Sequence, residues 1–324
     1  MRIVIFIFFL ASFFSGKAQT HAEEYYKYDC AYKSMEGYYN RGLYHKAVLY
    51  PDSLKENKYV NASTNYFCAR VYALSNEFDK TLEYLEKAVK GGITNSQIDK
   101  MYDLDGFRES NLYIVYEMNY DKWYQAFLEK QNGLTLDTSY ILSVKSINEK
   151  YLKNLREQSK KRGGNQKDSV NFYYKSNKVD SLCFLDLIEL TLEKGFPTTK
   201  TIGKEYYWYS RILRYNMPDN YDFNCDDWTQ IKKMIYVEIE KGTIYPFYYA
   251  AIEDRIRLGS KQPQLYGTMT VIHRTSKDGI NSIQYENPEE LNIRRRAIGL
   301  CSIQLEMWSE ARELPKSLKR IEFK

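Results

Sequence analysis

Apolar side chains recur every three to four residues along most of this chain, the period of helices buried on one side. From Asn65 to Val89 the pattern carries small Ala69, aromatic Tyr72 and Phe78, then Leu82, Leu85 and Ala88, and it stops at Gly91 and Gly92. Glycine there supplies the left-handed end of a helix. Met35, Tyr38, Tyr44 and Ala47 precede Ala69, Tyr72, Phe78 and Thr81 at a constant lag of about 34 residues, so two helical pairs repeat. Pro51 falls where the second helix of the first pair should continue. Proline removes a ladder donor and clashes with the preceding turn, which predicts a broken or short helix. Two pairs leave apolar faces open. Ile98 to Phe127, with Met101, Leu104, Phe107, Trp123 and Phe127, is expected to cover them.

Beyond the repeats, Ile141, Val144, Ile147, Tyr151 and Leu155 predict one long helix from Ser139 to Lys161, broken at Gly163 to Gln166. Its basic residues Lys150, Lys153, Arg156, Lys160, Lys161 and Arg162 read as a solvated face. Asp180 is expected to cap a helix with Leu182, Leu185, Ile188 and Leu192 facing inward, closed by Gly195 and Pro197. A short Tyr- and Trp-rich helix follows from Gly203 to Arg214. Asp226 or Asp227 then starts another, with a stripe of Trp228, Ile231, Ile235 and Ile239 and a stop at Lys241 and Gly242. Leu265 to Arg274 and Ile280 to Tyr285 flank Asp278 and Gly279, a turn pair that predicts a β-hairpin over about 264–286. Asn287, Pro288, Glu289 and Glu290 carry the cap, first-turn proline and acidic residues of a helix start.

Composition changes this picture mainly at the N-terminus. Arg2, the apolar run Ile3 to Phe14 and the small-residue end Ser15 to Ala18 have the form of a secretory signal. Cleavage after Ala18 leaves Gln19 first, and no membrane span is expected after it. The apolar run is too short to cross a bilayer. The chain is therefore expected to be secreted or periplasmic. Losing Arg2 and Lys17 lowers the formal charge of +5 by two, too weak a balance to argue for nucleic acid. The 44% hydrophobic and 27% charged content is that of an ordinary folded domain. Five cysteines, Cys30, Cys68, Cys183, Cys225 and Cys301, are irregularly spaced and form no C-x-x-C, so most read as buried small hydrophobes. His21, His45 and His273 are scattered, which argues against a metal site. No cofactor-binding motif is found. The 32 tyrosines fit amphipathic packing, with an aromatic binding face as the alternative.

One stretch carries misplaced charges. From Phe247 to Gly259 a helical wheel places Phe247, Tyr248, Ala251, Ile252, Ile256 and Leu258 on one apolar arc, with Arg255 inside it and Asp254 on its shoulder. Glu253 and Arg257 fall opposite, as a solvated i,i+4 pair. A charge facing a core needs a partner. Asp254 and Arg255 are therefore expected to form a buried pair tying this helix to the hairpin, with Gln264, Tyr266, Thr268 and the cluster Arg294, Arg295 and Arg296 around them. As a site, Asp254 is a candidate general base, Arg255 or Arg295 an anion holder and Tyr266 a hydrogen-bond donor. Gln264, Thr268, Arg294, Arg295 and Arg296 are the candidate binding residues.

Two resemblances follow from these residues. Asn65 to Val89 resembles a tetratricopeptide repeat. Asp254, Arg255, Gly259, Pro263, Gln264, Tyr266, Gly267 and Thr268, with Gly195 and Pro197 before them and Asn292, Arg295, Arg296, Gly299 and Leu300 after, resemble the D-R…G…P-Q-x-Y-G-T signature of an uncharacterised family of secreted bacterial proteins. Where that family shows D-Q-x-x-R, a histidine and a glutamine, this chain reads Asn148, Glu149 and Lys150, then Arg214 or Tyr215, then Met269. The resemblance implies an architecture and no activity. The expected fold is mainly α: a signal peptide at 1–18, tetratricopeptide-like helical repeats at 19–135, a long helix and linker at 136–170, and a helical domain with one β-hairpin at 171–324. The expected function is binding of a protein or peptide partner. The alternatives are a hydrolase using Asp254, Arg255 and Tyr266, and a glycan-binding module.

Overall fold

The computed structural model describes residues 2–161, 179–215, 218, 221–269, 284–314 and 316–319. The chain is mainly helical and divides into two compact units, Met1–Leu134 with Asn287–Lys324, and Thr135–Glu286. The C-terminal segment thus belongs with the first unit, whereas the sequence groups it with 171–286. The pairings that place it there join residues far apart in sequence, which no local pattern carries.

The first unit opens with α1 (Arg2–Tyr39), α2 (Tyr44–Ala47) and α3 (Pro51–Leu54). Pro51 is the first residue of α3, so the helix expected in the first pair is split at the proline. α4 (Ala62–Leu74) starts at Asn61, whose side chain accepts the Thr64 N–H at 2.9 Å. It packs on α5 (Phe78–Lys90), with Ala69, Tyr72, Tyr84, Leu85 and Ala88 buried. This is a helical pair with alanines at the close approach and tyrosines filling between. The covering region comprises α6 (Asn95–Ile98), α7 (Asp105–Arg108) and α8 (Asn111–Asn132), with Leu104, Phe107, Tyr116 and Trp123 buried.

In the second unit, α9 (Thr138–Lys161) starts at Asp137, which accepts the Tyr140 N–H at 2.8 Å. It packs on α10 (Val179–Lys194) through Tyr140, Val144, Ile147 and Tyr151. Here the predicted stripe is out of phase. Leu182 and Leu185 are exposed, while Cys183, Phe184, Leu187, Ile188 and Thr191 are buried. α11 (Thr199–Ile202), α12 (Tyr206–Tyr215), α13 (Asp226–Glu240) and α14 (Pro246–Gly259) follow. Trp228, Ile231 and Ile235 are buried as predicted, but α13 is capped by Cys225 rather than by Asp226 or Asp227. The only pairing between extended residues among those described is a parallel bridge of Gln264 with Tyr285. Strands joined by a tight turn pair antiparallel, so this parallel bridge is not a rung of the expected hairpin, whose residues 270–283, including Asp278 and Gly279, lie outside the described residues, as does the expected break at Gly163 to Gln166.

The first unit is completed by α15 (Leu291–Ala297), α16 (Ile303–Ser309) and α17 (Lys316–Lys319). α16 packs on α1 at Gly37, where any Cβ would fall 2.0 Å from the Trp308 ring. Glycine is required in the last turn of α1 because the indole lies directly on its backbone. Among the described residues, no helix is long and apolar enough to cross a membrane.

Candidate functional site

Asp254 lies on the buried face of α14 with Tyr249, Ala250, Ala251, Ile252 and Ile256, and none of it is exposed. After Gly259 the chain reverses through Lys261, at φ 55°, and returns along the helix as residues 264–269. One carboxylate oxygen, Oδ1, accepts the N–H groups of Leu265 at 2.7 Å and Tyr266 at 2.9 Å. The other, Oδ2, accepts the Thr268 N–H and the Thr268 hydroxyl, both at 2.7 Å. Gly267 sits at φ 70°, a left-handed turn that glycine adopts without strain, between the two donors of Tyr266 and Thr268. Gln264, also fully buried, closes the loop on itself: its Nε2 donates to the Met269 carbonyl at 2.9 Å and its Oε1 accepts the Met269 N–H at 3.0 Å. Burial pushes the Asp254 pKa up, while the Thr268, Tyr266 and Leu265 donors pull it down. Such a carboxylate is an anchor for backbone, since its lone pairs are spent on four donors.

The expected Asp254–Arg255 pair is not formed. Arg255 is half-buried and makes no hydrogen bond or ion pair among the described residues. The wheel placed it in the core because it centred the buried arc on Tyr248; the buried side is centred on Tyr249, Ala250 and Asp254. Nor do Glu253 and Arg257 form a solvated couple. Arg257 donates to the Glu286 carboxylate and to the Pro263 carbonyl, while Glu253 faces Lys232 of α13. Tyr266 contributes its backbone N–H to Asp254, and its buried ring meets the edge of Tyr249 at 6.2 Å.

The three arginines are in the first unit and differ from one another. Arg294 donates to the Asn287 carbonyl and lies 3.8 Å from the Glu290 carboxylate. Arg296 pairs with Glu23 at 2.7 Å and lies over the Tyr26 ring at 3.4 Å. Arg295 is fully buried; its Nε donates to the Cys301 carbonyl at 2.7 Å and its Nη2 to Glu306. Asp29 of α1 accepts the Cys301 N–H at 2.8 Å. Burial raises the Asp29 pKa, with the Cys301 N–H and the Arg295 charge opposing it. Burial also works against the Arg295 charge, but Glu306 holds its pKa above the ordinary value. Of the eight candidates, then, the structure gathers Asp254, Gln264, Tyr266 and Thr268 in the second unit, leaves Arg255 of the same helix outside that network, and places Arg294, Arg295 and Arg296 in the first. Asp29 and Glu306 are missed by the sequence reading. Each shares a helix face with buried apolar residues, Asp29 with Tyr25 and Tyr28 and Glu306 with Ile303, but polar neighbours such as Lys27, Lys33 and Gln304 hide that sign in the sequence.

Comparison of this chain with protein-family models, with curated proteins and with solved structures finds no match. Among the described residues, no group of three or more His, Cys, Asp or Glu side chains is placed to hold a metal ion. The described cysteines are all free thiols, with Cys68, Cys183 and Cys301 buried. Some apolar and aromatic side chains also remain open to solvent. On α8, Ile114, Val115 and Met118 face outward, Met118 being 79% exposed, while Tyr116 and Trp123 hold the opposite side of the helix in the core. On α12, Tyr207 is exposed beside Trp208, ring centroids 5.1 Å apart, and its hydroxyl accepts from Arg211 at 2.9 Å.

Proposed function

We propose that this is an exported protein of tetratricopeptide-like repeats that binds a protein or peptide partner through its first unit. One observation carries the reading: α8 keeps the apolar row Ile114, Val115 and Met118 in solvent although its other face is firmly packed. An apolar patch on an otherwise anchored helix marks an interaction surface more often than chance exposure. The partner is expected to present an apolar helix face or an extended apolar peptide. A photo-crosslinking residue at position 118 in the producing cells tests this. A discrete adduct, lost when Ile114→Glu is added and with the melting temperature unchanged, supports the proposal; no adduct above background overturns it.

The Asp254 geometry counts against the hydrolase alternative. A general base must reach the proton it removes, and this carboxylate is shielded and already accepts four hydrogen bonds. The glycan-binding alternative keeps one supporting observation, the exposed Tyr207 beside Trp208 and Arg211. An affinity-gel shift with acidic and neutral polysaccharides, lost in Tyr207→Ala, tests it. Equal mobility of the parent and the variant in every gel ends that reading.

A further inference from the structure

Four side chains on α13 and α14 form a square in the second unit. Lys232 and Tyr236 lie one turn apart on α13, and Tyr249 and Glu253 one turn apart on α14. Between the helices the Tyr236 and Tyr249 rings pack on each other, centroids 4.6 Å apart, and Lys232 Nζ is 3.9 Å from Glu253 Oε1. Tyr249 is buried and Tyr236 is 42% exposed, so the square opens to solvent on the Tyr236 side.

Its chemistry is incomplete. Glu253 Oε1 is shielded from solvent and accepts no hydrogen bond among the described residues. Lys232 is beyond hydrogen-bond reach and partly exposed, so it is free to swing outward. The other charges nearby are already engaged. Arg257 is held by Glu286 and the Pro263 carbonyl, and Asp254 by its own four donors. Burial raises the Glu253 pKa, with Lys232 and Arg257 opposing, and raises those of both tyrosines, which stay neutral phenols. A buried carboxylate oxygen with no donor calls for one. One carboxylate and two phenols supply too few oxygens for a divalent metal. An anion with an exposed tyrosine ring at its rim instead suits a compact organic cation, attracted by the carboxylate and steadied by the aromatic surface.

We propose that the Glu253 end of this square binds a primary alkylammonium group, with Glu253 as its anionic partner, the Tyr236 ring at its open rim, and Lys232 as an internal cation that it displaces. The site goes beyond the partner-binding reading, which rests on the first unit. The test is a saturation-transfer NMR titration of the full chain with n-butylammonium chloride, with n-butanol as the uncharged counterpart. Saturable binding of the amine is expected, with butanol and the Glu253→Gln variant each at least about tenfold weaker. Lys232→Met should strengthen binding several-fold, because the competing charge is gone. Tyr236→Ala, at the open rim, should weaken it several-fold with the melting temperature unchanged, which keeps the test valid if Glu253→Gln does not fold. A second arm uses an acetylated tripeptide with lysine at its centre: tighter binding than butylammonium assigns the site to a peptide side chain, weaker binding to a free amine. Equal binding of amine and alcohol, or an affinity unaltered in Lys232→Met and Tyr236→Ala, overturns the proposal.

Discussion

Asp29 and Arg295 grip one residue from opposite sides: Asp29 accepts the Cys301 N–H at 2.8 Å, and Arg295 donates to the Cys301 carbonyl at 2.7 Å. Arg295 also neutralises Glu306, itself buried. The N-terminal helix is thereby tied to the C-terminal segment through hydrogen bonds that surrounding side chains shield from water.

Removing the guanidinium is expected to be severe. Arg295→Ala leaves the Glu306 carboxylate and the Cys301 carbonyl buried without their partner, a loss of about 3–5 kcal/mol. Urea unfolding of the parent and the variant measures it. A loss below about 1 kcal/mol is the value for a surface pair and would remove this account.

Asp29 gives the pH dependence its sign. Its folded pKa lies above the ordinary 3.8, chiefly through burial, so its contribution to stability is full below that value and is lost as pH rises through the raised pKa. Asp29→Asn keeps an acceptor for the Cys301 N–H and has no charge to bury. Stability of the variant relative to the parent should therefore increase as pH is raised from roughly 3 towards 7. Unfolding midpoints at a series of pH values decide it, and a gap that narrows contradicts a raised Asp29 pKa.

The loop anchor separates two neighbouring residues. Asp254→Asn turns an acceptor oxygen into a donor facing two further donors and should lose about 2–4 kcal/mol. Arg255→Ala, at a half-buried position with no partner among the described residues, should change stability by under about 1 kcal/mol. Melting curves in which Arg255→Ala is the more damaging of the two would restore the buried-pair reading.

In the helical pair, Ala69 and Ala88 are both fully buried between α4 and α5. Enlarging either to Leu should overpack the contact and destabilise by about 1–3 kcal/mol. Two variants that melt with the parent would mean that the helices part more easily than this packing allows.

Export has its own test. Arg2, the apolar run Ile3 to Phe14 and the small residues up to Ala18 predict a mature chain starting at Gln19. Mass spectrometry of the exported protein gives the first residue, and a product that retains Ile3 to Phe14 contradicts the signal.

The features legible in the sequence were those set by a few adjacent residues. Pro51 starts a helix, Gly195 and Gly242 end two others in left-handed conformations, and the alanines of α4 and α5 sit at the contact. Phase was harder. In α10 eight of the eleven positions from Leu182 to Leu192 are apolar, so Leu182 and Leu185 fit a stripe as well as Phe184 and Leu187, and only packing against α9 decides. Asp254 stands out in the sequence as a charge in an apolar setting, yet three of its four donors are main-chain N–H groups, which every residue but proline has and no side-chain pattern reveals. Arg295 was visible as a charge, while Asp29 lies near the other end of the chain.

The division of the chain also sets an order of events. Thr135–Glu286 is continuous and can close its core as soon as it has emerged, whereas Met1–Leu134 lacks the Cys301 peptide, Arg295 and Trp308 until Asn287–Lys324 arrives. During one-way passage of a chain, units fold as they become complete. The part made first is therefore the later of the two to mature, and the Asp29 carboxyl and the Gly37 backbone stay open to chaperones and proteases until Arg295, Cys301 and Trp308 have emerged.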